Sequence, residues 1–184
     1  IESWYGKLTG HFGESSAVSA FYLKNVQGLD GNSVDPSIKG AHVHAWGAGA
    51  TIDLGDSGLN IDGDFIQTRG NRDLGHANLW TAGLNYGKVD LNKPGSFTLG
   101  VHYVRADAGA YLLGNSALDM TDQLEYGWDN GTGVKFWVAK AGVAVQKNVE
   151  LDAYYNFGAK AFDRYDDSTK DPANTWGVEL NYAF

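Results

Sequence analysis

Thr175-Trp176-Gly177-Val178-Glu179-Leu180-Asn181-Tyr182-Ala183-Phe184 is the stretch that decides the fold. Its even positions are large and apolar: Trp176, Val178, Leu180, Tyr182 and Phe184. Its odd positions are polar or small: Thr175, Gly177, Glu179, Asn181 and Ala183. Side chains of a strand point alternately to opposite faces, so this is a strand with one apolar and one polar face. The alternation runs to the last residue, where chain ends in water ordinarily fray.

The same pattern recurs upstream. Trp4, Leu8 and Phe12 oppose Tyr5, Lys7, Thr9 and His11 within 1–12. Trp46, Ala48, Ala50, Ile52 and Leu54 oppose Gly47, Gly49, Thr51 and Asp53. Leu59, Ile61 and Phe65 oppose Asn60, Asp62, Asp64 and Thr68. Trp80 to Gly87, Ser96 to Tyr103, Trp137 to Gln146 and Val149 to Gly158 alternate likewise. Ala17 to Val26 is a strand of ambiguous phase: placing Lys24 on the polar face puts Phe21, Leu23 and also Ser19 on the apolar one. About nine strands are expected, each roughly the 9–11 residues of a tilted membrane strand. Short turns are expected after Phe12, Leu54, Leu91 and Gln146, and longer loops after Val26, Arg69, Asp107 and Phe162. Strict alternation of short and long connections is the asymmetry of an outer-membrane barrel. Helix is hardly signalled; a short turn fits near Asp119 to Leu124.

Composition narrows the classes. The 184 residues suit one domain, 1–184. There is no Cys, hence no disulfide framework. A net charge of −8 argues against nucleic acid as a partner. The 25 Gly, 3 Pro and 13% aromatic content fit many twisted strands with interfacial aromatics. A mean hydropathy of −0.32 does not oppose this, because alternating strands average a lipid face with a wet one. No stretch approaches the ~18 apolar residues of a membrane helix. Ile1-Glu2-Ser3 does not begin an export signal, so a processed or partial chain is expected.

The last strand resembles the final strand of Gram-negative outer-membrane β-barrels. In that family a terminal Phe with apolar residues two, four, six and eight before it is read by the barrel-assembly machinery. Here the matching residues are Phe184, Tyr182, Leu180, Val178 and Trp176. Ala139 to Leu151 resembles a hairpin of general porins and of the porins of bacteria whose outer membrane is tethered by an N-terminal S-layer-homology domain. The resemblance implies an all-β fold, an antiparallel transmembrane β-barrel. It implies an outer-membrane porin, a homotrimer in outer-membrane lipid, passing small hydrophilic solutes and ions by passive diffusion. No enzyme activity and no cofactor are implied. An odd strand count with Phe184 on the periplasmic side puts Ile1 outside, so these residues are expected to be the C-terminal part of a larger, roughly 16-stranded barrel. The alternative is a small closed eight-stranded barrel with a structural or adhesive role.

On the polar face the expected pore-lining residues are Lys7, His11, Asp53, Asp62, Asp64, Asn85, His102, Lys140, Glu150, Asp152 and Glu179. Charges lining a channel set its ion preference, and carboxylates outnumber cations here. The outward Trp4, Trp46, Trp80, Trp137, Trp176, Tyr86, Tyr103, Tyr155 and Tyr182 fit interfacial girdles. Asp30-Gly31-Asn32-Ser33-Val34-Asp35 and Asp119 to Asp129 lack full calcium-loop spacing, and His42 with His44 lacks further metal ligands. There is no Gly-x-Ser-x-Gly and no His-Glu-x-x-His. Ser96 and His102 share a face but lie ~20 Å apart along one strand.

Overall fold

The computed structural model describes residues 3–13, 15–25, 42–70, 76–110, 121–163 and 168–183. Nine strands form one antiparallel sheet in chain order. They are β1 (Ser3–Phe12), β2 (Ser16–Asn25), β3 (Val43–Asp53), β4 (Leu59–Gly70) and β5 (His76–Gly87). β6 (Phe97–Ala106), β7 (Gly133–Gln146), β8 (Val149–Phe162) and β9 (Thr175–Tyr182) complete it. One helix, α1 (Thr121–Asp129), lies between β6 and β7. The fold is therefore all-β and antiparallel, with β1 and β9 as the two edges of a sheet that is not closed.

Left-handed residues close the hairpins where an L side chain would be strained. Gly13 (φ 66°) turns β1 into β2, and Gly55 (φ 70°) and Gly58 (φ 69°) bracket a 3-10 turn between β3 and β4. Asn148 (φ 63°) turns β7 into β8, a conformation that Asn tolerates better than most residues.

The register continues the alternation across strands. Trp46 pairs with Gln67 and Ala48 with Phe65; Leu84 pairs with Val101, and Tyr103 with Trp137. Ala153 pairs with Val178. One face of the sheet thus carries the large apolar residues, and this aromatic face is open. Trp4 is 73% exposed and Trp176 74%, so none of the described residues covers them. The opposite face carries α1 and is called the helix face.

Four points are decided by the structure. Lys24 lies on the aromatic face, because it pairs with Trp4 on one side and His44 on the other. Phe21 instead points to the helix face, across from Lys7 and Gly47. Short and long connections do not alternate strictly. The β4–β5 connection is 71–75, shorter than the β5–β6 connection of 88–96. The latter is compact: Ser96 Oγ donates to Asp90 O and accepts from Asp90 N, and Gly95 N donates to Ala144 O. Third, β8 ends at Phe162, after which a longer loop is expected, and β5 and β7 begin at His76 and Gly133, before their first outward Trp. In β7 the alternation continues before Trp137, with Val134, Phe136 and Val138 on the helix face and Lys135 and Trp137 on the other, but at this end the helix face is the apolar one.

Fourth, the helix face is not uniformly wet. At the end of the sheet nearest the longer connections, Leu79, Val104, Val134, Phe136 and Val138 are each no more than 2% exposed. Leu124 of α1, 1% exposed, packs into this cluster. The short turn expected near Asp119 to Leu124 is a helix of nine residues. It ends at Gly131 (φ 58°), where Thr132 N donates to Gly127 O. A Cβ on Gly127 would meet Thr132 O at 3.0 Å, so this glycine lets α1 approach β7. The helix α1 thus folds back over the sheet, which no local pattern in 108–132 dictates.

Candidate functional site

The helix face divides into a dry half under α1 and a polar half toward the hairpin turns. The polar half is built by β1 to β9. Asp62 pairs with Gly83, Gly83 with His102, Asn85 with Gly100, and Gly100 with Lys140. Gly142 pairs with Asp152, and Asp152 with Glu179. Paired positions share a face, so these side chains face one space.

The glycines on this face act as seats. A Cβ on Gly83 would collide with the His102 ring, and one on Gly100 would collide with the Asn85 carboxamide. Asp64 lies across Gly49, Asp152 and Glu150 across Gly142, and Tyr154 across Gly177. Each polar side chain therefore leans flat over the glycine of the next strand and meets its neighbours there. Asn85 Nδ2 donates to Asp62 Oδ1, and also to Asn60 Oδ1 at 2.9 Å. Asn85 Oδ1 lies 3.0 Å from His102 Nε2. His102 Nδ1 sits 3.4 Å from Asp62 Oδ2. His102 is 5% exposed, and this network holds it in place.

All eleven expected pore-lining residues share this face, but they do different things. Asp62, Asn85 and His102 form the network. Asp64 and Lys7 border one pocket with Asp62, Asn60 and Thr51. Lys140, Asp152, Glu179 and Asn181 border a second with Tyr154. Asn181 Nδ2 donates to Asp152 Oδ2 at 2.9 Å. Glu150 crowds Asp152 at Gly142. Asp53 is used structurally: its Oδ1 accepts from Gly55 N at 2.8 Å and shapes the turn. His11 is exposed on the edge strand β1.

Ser96 belongs to the β5–β6 turn and His102 to the network, so the two are not combined. Among the described residues no group of three His, Asp or Glu could hold a metal ion. His44 packs near Tyr22, with ring centroids 6.3 Å apart. Asp30 to Asp35 and Asp119 lie outside the described residues, as does Phe184 of the expected assembly signal. Trp176, Val178, Leu180 and Tyr182 are all exposed on the aromatic face.

No protein-family model matches the chain, and no curated protein matches it.

One part of the site escaped the sequence. Gln123 on α1 is 1% exposed. Its Nε2 donates to Ala173 O and to Thr175 Oγ1, both at 3.0 Å. Its Oε1 accepts from Asn156 Nδ2 at 2.9 Å. Tyr126 Oη donates to Lys170 O at 2.6 Å. These bonds latch α1 to the β8–β9 connection and the start of β9. Gln123 stands in an acidic, irregular stretch with no periodic signal, and its partners lie 33 to 52 residues away.

Proposed function

We propose that this chain forms part of the wall of an outer-membrane β-barrel pore that passes small hydrophilic solutes and ions by passive diffusion. The supporting observation is the open aromatic face. It crosses all nine strands and includes Trp4, Leu8, Trp46, Ile61, Leu84, Val101, Val145 and Trp176, each at least 38% exposed. A water-soluble monomer rarely exposes an apolar patch this extensive, whereas lipid covers one. Rings mark both margins: Trp80, Tyr103 and Trp137 near one, Tyr86 and Phe97 near the other. Trp80 and Tyr86 are about 20 Å apart along their strand. Outer-membrane barrels carry an apolar band of ~25 Å.

The polar half of the helix face would border the water path. Both sheet edges run in the same direction, so joining β1 to β9 directly would be a parallel pairing. Antiparallel closure takes an odd number of further strands, which supports the larger, roughly 16-stranded barrel. The assembly machinery would read Trp176, Val178, Leu180, Tyr182 and Phe184, and a trimer follows from the same resemblance. No catalytic step is proposed. The test is a planar-bilayer recording of the protein purified from its native membrane. Ohmic conductance is expected, and silence would overturn the pore.

One observation favours a plugged barrel with a structural or adhesive role: a dry cluster lies beneath α1 on the helix face. That reading predicts silence even after α1 is released.

In the pore, cation preference is expected. The helix face carries Asp53, Asp62, Asp64, Glu150, Asp152 and Glu179 against Lys7 and Lys140, and Lys24 is not among its cations. Screening over ~8 Å at physiological salt keeps the preference weak and makes it fade as salt rises. A reversal potential across a salt gradient measures it. The Asp64→Asn and Glu150→Gln/Asp152→Asn variants should move it toward the anion side, and an unmoved potential would exclude these carboxylates from the channel field.

A further inference from the structure

We propose that the aromatic face carries, at its end nearest the longer connections, a belt of cations that binds the phosphate groups of anionic lipid headgroups. This rests on the membrane reading above and names the lipid chemistry that it implies. The strand register makes the belt. Arg105 pairs with Lys135 and Lys135 with Lys160, placing three cations side by side on β6, β7 and β8. Lys24 pairs with His44, His44 with Arg69, and Arg69 with His76, a second row over β2 to β5 that is offset from the first, because Arg105 pairs with Trp80, four residues along β5 from His76.

Two features point to an anionic occupant. First, like charges directly opposite each other on strands ~4.8 Å apart destabilise a sheet. Asp107 lies 3.9 Å from Arg105 and also accepts from Asn78, and Asp171 accepts from Ala161 N beside Lys160. Arg105 otherwise lies over the Phe162 ring, 4.4 Å from its centroid, and Arg69 Nε donates to Gln67 Oε1. Lys135 and Lys160 have no carboxylate partner among the described residues.

Second, charge is sorted by face. The chain is acidic overall, at −8. Yet the strand carboxylates Asp53, Asp62, Asp64, Glu150, Asp152 and Glu179 all lie on the helix face. On the aromatic face the strands carry cations only, and only at this one end. The cations sit one step beyond the aromatic row: Lys24 beyond Tyr22, Arg105 beyond Tyr103, Lys135 beyond Trp137. That is headgroup depth for a sheet whose rings mark the interface. Arg and Lys recognise phosphate by charge-assisted hydrogen bonds, and a row of them spans several headgroups. The spacing was visible in the sequence, as a basic residue two positions past an outward ring. Only the register shows that these residues are adjacent.

The test uses the intact protein in phosphatidylcholine nanodiscs doped with phosphatidic acid. Native mass spectrometry reads which lipid is retained. Preferential retention of phosphatidic acid is expected, weakening as salt rises. Lys135→Gln/Lys160→Gln should lower that preference roughly 10- to 30-fold, from the loss of two cations at the surface. Lys88→Gln/Lys93→Gln, at the opposite end of the sheet, should leave it unchanged. No preference in the parent, an equal loss in the Lys88/Lys93 variant, or displacement of the lipid by a co-purifying acidic polypeptide would each overturn the belt. Entry into pure phosphatidylcholine bilayers is scored separately. A protein that enters them without lipid preference refutes the belt alone. One that enters no bilayer refutes the membrane reading and the belt with it.

Discussion

Gly83→Val is expected to cost about 3 kcal/mol of unfolding free energy, measured by urea titration in detergent. The backbone at Gly83 does not require glycine, since its φ is not in the left-handed region. The cost is steric and polar instead. A Cβ there would collide with the His102 ring and lie 2.9 Å from Asp62 Oδ1. Overpacking of this kind costs about 1–3 kcal/mol. His102 is 5% exposed, and displacing it also strips Asn85 Oδ1 of a partner. An unmet buried polar group adds about 1–3 kcal/mol. The control is Gly6→Val on β1, where an added Cβ meets nothing within 4 Å. That change should stay within about 0.5 kcal/mol. A double-mutant cycle sharpens the claim: with His102→Ala in place, Gly83→Val should lose most of its effect. Equal costs in both backgrounds would show that the glycine does not seat the histidine.

Gln123→Ala is expected to destabilise the docked helix by about 2–4 kcal/mol, because it removes at once the four hydrogen bonds that tie Gln123 to Asn156, Ala173 and Thr175. Asn156, 1% exposed, loses its acceptor on α1, and Ala173 O loses its donor. Leu124→Ala should cost a similar ~2–5 kcal/mol by opening a cavity over Val134 and Phe136. Glu125→Ala, on an exposed position of the same helix, should fall within about 0.5 kcal/mol. Hydrogen exchange reads the outcome locally. Amides of α1 should exchange faster in Gln123→Ala while those of β4 and β5 do not change. In the pore reading, releasing α1 also widens the water path, so single-channel conductance should rise. Unchanged exchange in α1 would mean that the Gln123 latch does not hold it.

How legible was this protein? Alternation within each strand was enough to sort residues between two faces. Trp176, Val178, Leu180 and Tyr182 share the aromatic face with Trp46, Leu84 and Val101. Asp62, Asn85, His102, Lys140 and Asp152 share the other. Period two is a local property of a pleated chain, so it can be read without knowing any neighbour. It also supplied the all-β class and the strand number. The phase of β2 could not be read this way, because Phe21 and Lys24 offer a large residue to either face. Pairing of Lys24 with Trp4 and His44 decided it.

What only the tertiary structure decided is everything that depends on distant partners. The helix α1 folds over the sheet because Gln123 finds Asn156 and Thr175, and because Leu124 finds a patch made by β5, β6 and β7. The inward glycines looked like the lining of a wet space, but they are seats for side chains of the adjacent strand. The cation row exists only once Arg105, Lys135 and Lys160 are set in register. Hydrophobic periodicity fixes which way a side chain points, and strand register fixes what it meets.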